Sequence, residues 1–175
     1  MQTDRIDDWL ATESRLDQGV PTQATPVDPT RCSGLELLSS ALDGSGLNAP
    51  IGHTLDFRLV EVAYGRAVFQ GKPSRAHYNP LGTVHGGWFA AVLDSAVGCA
   101  VHSTLDAGRA YTTLELKVNY VRALTDQVTR VRAIGEIVHV GRRVATAEAR
   151  IIGPDDTLYA HATTTCLVFD TQAAA

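Results

Sequence analysis

Residues 79–101 read NPLGTVHGGWFAAVLDSAVGCAV and contain a long run of apolar and small residues. A single carboxylate, that of Asp94, lies in the middle of this run. The length of the run and its alanines favour a helix over a strand. Because this helix has no polar face, we expect other elements of the fold to cover it on most sides.

Alternating apolar and polar residues on both sides of this helix predict strands. Two β-prone runs precede the helix, at residues 54–60 and 65–71, with a turn expected at 62–64. Four more follow it, at residues 113–122, 128–140, 144–152 and 158–169. The predicted order, β-β-α-β-β-β-β, indicates an α+β fold in which a curved, mostly antiparallel sheet wraps around a single helix.

Two of these strands carry more specific expectations. In the strand at 113–122, the apolar residues beginning with Leu114 alternate with polar ones, which predicts one covered face and one wet face. In the strand at 128–140, Gly135 is a candidate β-bulge.

The first 45 residues differ from the rest of the chain. A weak apolar face over residues 3–17 predicts a short amphipathic helix, and three prolines predict a linker over 18–31. Leucines between 35 and 42 predict a brief helix that the glycines at 44 and 46 would end. We therefore expect a helical and linker extension at 1–45, a folded domain at 46–170 and a frayed tail at 171–175.

The composition argues against several classes of protein. The net charge of −4 provides no basic surface for nucleic acid or for an anionic membrane. The apolar run has the minimum length of a membrane span, but an aspartate at the centre of a spanning helix costs about 2.5–3.5 kcal/mol. The three cysteines form no C-x-x-C pair and the N-terminus has no signal-peptide pattern, so we expect a cytoplasmic protein.

The sequence His85-Gly86-Gly87 opens the predicted helix. The first amides of a helix have no internal partner and lie at the positive end of its dipole, where they can stabilise an oxyanion. The paired glycines either let a ligand approach these amides or only permit tight packing. For His85 we favour a role in holding the preceding loop over one as general base. The spacing of the histidines argues against a metal site.

Asp94 follows His85 by nine residues, which is about 13 Å along a helix. The two side chains therefore cannot act on one small ligand within one subunit. If both take part in the chemistry, they must meet across an interface between subunits. The alternative is that Asp94 is a satisfied polar group bonded to a neighbouring strand, because a lone buried carboxylate is costly.

Together these residues resemble the hotdog-fold acyl-CoA thioesterases, and in particular the PaaI-like (phenylacetate-degradation thioesterase) group. The resemblance rests on Asn79, the His-Gly-Gly sequence, Asp94 and the segments 111–120 and 140–149, and it covers about residues 50–169. It implies a hotdog fold, a site between the two subunits of a homodimer, and dimers that pair into a tetramer.

The resemblance also implies catalytic roles. Asp94 would be the catalytic carboxylate, acting as general base or as nucleophile, and the Gly86 N–H would polarise the thioester carbonyl. Asn79 and His85 would shape the site and orient the leaving group or the water. Thr113 would help to position the water or the carboxylate.

Gly87 would contact the thioester end of the substrate, and Arg142 and Arg143 would lie near the CoA phosphates. Trp88 stands where the family often has a smaller residue, and it would either line the acyl pocket or pack under the sheet. The expected reaction converts an acyl-CoA into a free acid and CoA without a metal or a cofactor. A non-catalytic acyl-CoA-binding module stays open as an alternative, although it would have no use for Asp94. A hotdog hydratase or dehydratase is disfavoured because no histidine follows Asp94 at about five residues. The sequence leaves aromatic, short and medium-chain acyl groups open.

Overall fold

The computed structural model describes residues 2–18, 28, 31–43 and 49–171. The helices are α1 (Gln2–Gln18), α2 (Gly34–Leu42), α3 (Pro50–Leu55) and α4 (Gly86–His102), with a short 3₁₀ turn at Arg75–His77. The strands are β1 (Phe57–Ala63), β2 (Arg66–Gly71), β3 (Arg109–Tyr120), β4 (Val131–Val140), β5 (Val144–Ile152) and β6 (Leu158–Asp170). They form one antiparallel sheet in the order β1-β2-β4-β5-β6-β3. The expected α+β hotdog fold is confirmed.

Helix α4 is the apolar run that the sequence singles out, and it contacts all six strands of the sheet. Its side chains at Val92, Leu93, Ala96 and Val97 have no exposed surface and form the centre of the core. The sheet therefore covers the helix, as expected for a helix that has no polar face. Among the described residues, no helix is long and apolar enough to cross a membrane.

Gly135 does not form the expected β-bulge, because it pairs in regular register with Ala67 and with Ala149. A Cβ atom at this position would lie 2.2 Å from the carbonyl oxygen of Ala96 on α4. The glycine is therefore required by the close approach of the helix to the sheet. The irregularity of β4 lies instead between Ile137 and His139.

Strand β3 forms one edge of the sheet, and its alternation is broken by a bulge. The register with β6 shifts between Thr113 and Glu115, which leaves the Leu114 side chain 60% exposed instead of on the covered face. The expectation for Leu114 was wrong for this reason. Beyond the bulge, Leu116 and Val118 pack against the core. No other described strand pairs with the free edge of β3.

The first predicted strand begins later than expected. Its first residues belong to α3, which starts at Pro50 and is followed by the C-cap Asp56 in the left-handed conformation, with φ of 54°. Proline suits the first turn of a helix, so the β-prone residues that follow it are helical here. The turn between β1 and β2 accordingly moves to residues 64–65, where Gly65 has φ of 72°.

The predicted N-terminal helix is confirmed as α1, and it packs on the outer face of the sheet. Trp9 is only 4% exposed, and the guanidinium of Arg132 on β4 lies 4.8 Å from the centre of its ring. The Gln70 amide on β2 donates a hydrogen bond to the carbonyl oxygen of Trp9. Arg130 forms a largely buried ion pair with Glu13. The extension therefore contacts the sheet directly.

The second predicted helix is confirmed as α2, which Ser33 and Glu36 begin with a capping box. Most of the predicted linker, the glycines expected to end α2, and nearly all of the predicted tail lie outside the described residues.

Candidate active site

His85 is the N-cap of α4 and organises the turn into the helix. Its Nδ1 atom accepts a hydrogen bond from the Gly87 N–H over 2.8 Å. Its backbone N–H donates to the carbonyl oxygen of His77 over 2.8 Å, and the neighbouring Val84 N–H bonds to Leu124. The side chain thus caps the helix while the backbone ties the preceding loop to the domain.

Gly86 is the first residue of α4, and its N–H has no hydrogen-bond partner among the described residues. The Tyr120 hydroxyl donates to the Gly86 carbonyl oxygen over 3.1 Å. A Cβ atom on residue 86 would lie 3.1 Å from the Tyr120 ring, so a larger residue would press on this contact. The unpaired amide lies at the positive end of α4 and is available to an oxyanion.

A groove of about 270 Å³ opens in front of Gly86. Its lining includes Asn79, Phe89, Tyr120 and Arg122. The sequence analysis missed Phe89, Tyr120 and Arg122. Phe89 is an aromatic residue near the start of a helix, and the other two lie at the end of an edge strand or just beyond it, so none of them belongs to a recognisable motif.

The Asn79 side chain builds the loop that forms one wall of this groove. Its oxygen accepts from the backbone N–H groups of Leu81 and Thr83, and its nitrogen donates to the Thr83 hydroxyl over 3.0 Å. These local bonds shape the loop as Asx turns do.

Asp94 lies half-buried on α4 and receives a hydrogen bond of 3.0 Å from the Thr113 hydroxyl of β3. The bond fixes one carboxylate oxygen, while the acid stays partly accessible. The structure therefore brings Asp94 and Thr113 together. This contact agrees with both expectations for Asp94, a catalytic carboxylate positioned by Thr113 and a polar group bonded to a neighbouring strand.

Three further side chains lie close enough to Asp94 for its charge to act on them, and the sequence analysis did not single them out. Burial, together with the charge of Asp94, raises the pKa of the Cys99 thiol to about 12. Burial also raises the pKa values of Tyr111 and Cys166. All three are therefore neutral near pH 7, and neither thiol supplies a thiolate nucleophile beside Asp94.

Gly98, one helical turn after Asp94, makes room for Tyr111. A Cβ atom at residue 98 would lie 2.5 Å from the Tyr111 hydroxyl oxygen. The ring of Tyr111 also packs against His102, with 5.5 Å between the ring centres. Strand β3 therefore packs directly against α4 in the turns that follow Asp94.

Trp88 is buried beneath the sheet, and Gly87 is held in the helix cap. The Trp88 indole N–H donates to the Leu55 carbonyl oxygen over 2.7 Å, and its ring stacks on His77. A Cβ atom on Gly71 would lie 2.8 Å from the Trp88 ring. Trp88 therefore packs against β2, which is one of the two roles that its position allows.

Arg142 and Arg143 lie exposed in the turn between β4 and β5. The Arg142 carbonyl oxygen accepts from the Arg109 side chain, at the start of β3. Tyr120, which contacts Gly86, ends the same strand, and a twelve-residue strand extends about 36 Å. Within one subunit, the two arginines and Gly86 are therefore at opposite ends of β3.

Within one subunit Gly86 and Asp94 are also separated. Eight residues of helix correspond to about 12 Å along the axis, and Gly86 opens on the groove whereas Asp94 faces Thr113. A single subunit does not bring the unpaired amide and the acid to one small ligand. Among the described residues, no three histidine, cysteine, aspartate or glutamate side chains come together in a metal-binding group.

Residues 81–160, which contain the acid, the cap and most of the sheet, match the family model of the thioesterase superfamily. This segment of the chain is therefore similar to the thioesterase superfamily. An esterase of Halobacterium salinarum is 37% identical over 84 residues, which cover 47% of this chain and 54% of that protein. The 1,4-dihydroxy-2-naphthoyl-CoA hydrolase of Listeria monocytogenes is 24% identical over 56% of this chain and 78% of that protein.

A solved structure is similar over a larger share of the chain. A thioesterase from Ralstonia eutropha JMP134, described as a phenylacetic acid degradation-related protein, is 27% identical to this chain with a TM-score of 0.68. The match covers 75% of this chain and 98% of the Ralstonia protein. These findings confirm the resemblance to the PaaI-like group, and the names of the relatives support the expected class of enzyme, a thioester hydrolase.

Proposed function

We propose that this chain is an acyl-CoA thioesterase, which hydrolyses an acyl-CoA to a free acid and CoA with Asp94 as its catalytic carboxylate. The observation that carries the proposal is the Asp94 carboxylate itself, the one charged group of an otherwise apolar helix, held by Thr113 and still partly accessible. Packing alone does not account for an acid at this position.

The Gly86 N–H is the proposed donor to the thioester carbonyl oxygen. Its lack of a partner among the described residues and its place at the start of α4 support this role. One such donor is worth about 2.7–4 kcal/mol in a transition state. His85 and Asn79 serve as positioning residues, because the first caps the helix and the second shapes the adjoining loop.

The complete site requires two subunits in this proposal. The Gly86 amide of one subunit and the Asp94 carboxylate of another face the same thioester, because about 12 Å of helix separates them within one chain. The free edge of β3, with Leu114 and Tyr120 exposed, supports an interface there between two copies of the chain. The pairing of such dimers into a tetramer stays a prediction, which light scattering of the purified protein tests.

The reaction balances without a metal or a cofactor. In one route Asp94 takes a proton from a water whose oxygen attacks the carbonyl carbon, the C–S bond breaks, and the CoA thiolate leaves. In the other route an Asp94 oxygen attacks first, thiolate leaves, and water cleaves the resulting anhydride. Single-turnover hydrolysis in ¹⁸O-labelled water separates them, because only the anhydride route can leave label in Asp94.

The test of the function is a panel of aromatic, short-chain and medium-chain acyl-CoA thioesters, with CoA release followed by a free-thiol reagent. The names of two relatives, one related to phenylacetic acid degradation and one a naphthoyl-CoA hydrolase, place aromatic acyl groups first in the panel. We expect saturable thiol release with at least one thioester. Protein that binds these thioesters without releasing thiol would instead be the non-catalytic binding module.

A further inference from the structure

Most arginines of this chain are held in ion pairs with carboxylates. The paired residues are Arg5, Arg31, Arg58, Arg66, Arg75, Arg109, Arg130, Arg132 and Arg150. Four arginines make no ion pair among the described residues: Arg15, Arg122, Arg142 and Arg143. Of these four, Arg122 lines the groove in front of Gly86.

The backbone at Arg122 is fixed, whereas its side chain is exposed. The N–H groups of Val121 and Arg122 both donate to the carbonyl oxygen of Tyr159, over 2.8 and 3.1 Å. Asp155, on whose carboxyl the Arg122 charge acts, uses its oxygens for the backbone N–H and the hydroxyl of Thr157. The Arg122 side chain therefore lies exposed beside the groove, two residues beyond the end of β3, and it makes no ion pair with Asp155, whose charge acts on it only from a distance.

The charge of the whole protein makes this local cation significant. The net charge is −4, so the protein as a whole repels a polyanion such as CoA. A planar guanidinium without a carboxylate partner is suited to bidentate contact with phosphate oxygens. It lies on the same groove as the positive end of α4, and both favour an anionic ligand.

The position of Arg122 also suits a ligand whose anionic part is remote from its reactive carbonyl. Tyr120 contacts Gly86, and Arg122 follows it by two residues, about 7 Å further along the chain. We propose that Arg122 binds a phosphate of the CoA moiety in the groove that leads to the Gly86 amide. This inference rests on the proposed acyl-CoA thioesterase function and assigns the phosphate contact to the subunit that also supplies Gly86.

The test compares two thioesters of the same acyl group, one of CoA and one of N-acetylcysteamine, which lacks every phosphate. We expect Arg122→Ala to lower kcat/KM on the CoA thioester about ten-fold relative to the N-acetylcysteamine thioester, mainly through KM. Arg122→Lys retains the positive charge and should recover part of the loss. The matched control is Arg15→Ala, which removes another exposed arginine that makes no ion pair among the described residues and that lies on α1, outside the lining of the groove.

Two kinetic outcomes would overturn the proposal. One is a CoA thioester whose KM is the same in wild type and Arg122→Ala. The other is an equal loss of kcat/KM on both thioesters, since that would indicate a role in the shape of the groove and not in phosphate binding.

Failure of the thioesterase function is distinguished by calorimetric titration of CoA alone. If the wild type hydrolyses neither thioester, the proposed function fails, but the Arg122 proposal stands if CoA binds and Arg122→Ala weakens that binding about ten-fold. Absence of CoA binding, or equal binding by both proteins, overturns the Arg122 proposal as well.

Discussion

The Thr113 hydroxyl on the edge strand β3 donates a hydrogen bond of 3.0 Å to the Asp94 carboxylate on the central helix α4. The two residues come from different elements, and the bond is the contact that fixes the orientation of the acid. The bulge of β3 lies directly beyond Thr113, so it shifts the register only of the residues that follow this contact.

Replacement of Thr113 by valine tests whether that orientation matters. Valine keeps the shape of threonine but cannot donate to Asp94, so we expect kcat to fall about ten-fold with little change in KM. Thr113→Ser keeps the hydroxyl and is the control, which should retain most of the activity. Equal kcat values for the valine and serine variants would show that the bond is only structural.

Trp9→Ala tests the docking of α1 on the sheet. Removal of this buried ring also removes its contact with the Arg132 guanidinium, so we expect the free energy of unfolding to fall by about 2–4 kcal/mol. Leu10→Ala is the control, because Leu10 is 40% exposed and its loss should change stability by about 0.5 kcal/mol or less. Equal urea midpoints for the two variants would contradict a stabilising role for α1.

His102 predicts a dependence of stability on pH. Burial lowers its pKa below the ordinary value of 6.5, so the unfolded chain binds a proton at a higher pH than the folded protein does. The stability is therefore fully present above about pH 6.5 and decreases as the pH falls through the window below it. The pKa of His77 is lowered in the same direction, also by burial.

The measurement is urea unfolding of wild type and His102→Gln between about pH 7.5 and about pH 5.5. We expect the variant to lose less stability than the wild type across this range, with the remaining loss in part due to His77. Identical pH profiles for the two proteins would mean that His102 does not contribute.

The fold could be predicted from the sequence where one periodicity dominates. The apolar run of α4 is long and rich in alanine, which favours a helix over a strand. The alternation at residues 144–152 predicted both ends of β5 correctly. The errors came from contacts that lie outside the local pattern. Gly135 is a glycine because of Ala96 on another element, and the bulge at Leu114 is visible only in the pairing of β3 with β6.

The site was predictable in part for the same reason. His85 and Gly86 stand out because they open an apolar helix. Asp94 stands out because it is an acid within that helix. Tyr120 and Arg122 do not stand out, because their significance depends on where the end of β3 lies relative to Gly86. The same holds for the buried polar pair of Gln70 and Arg132 on the outer face of the sheet, which receives α1.

The most direct measurement of the central claim is kcat for acyl-CoA hydrolysis by Asp94→Asn. Asparagine has nearly the same shape but is neither a base nor a nucleophile, so we expect kcat to fall at least about 100-fold in a protein with unchanged unfolding behaviour. Asp106→Asn, which alters an exposed acid in the loop after α4, is the matched control and should keep wild-type activity. Folded Asp94→Asn protein with wild-type kcat would contradict the account.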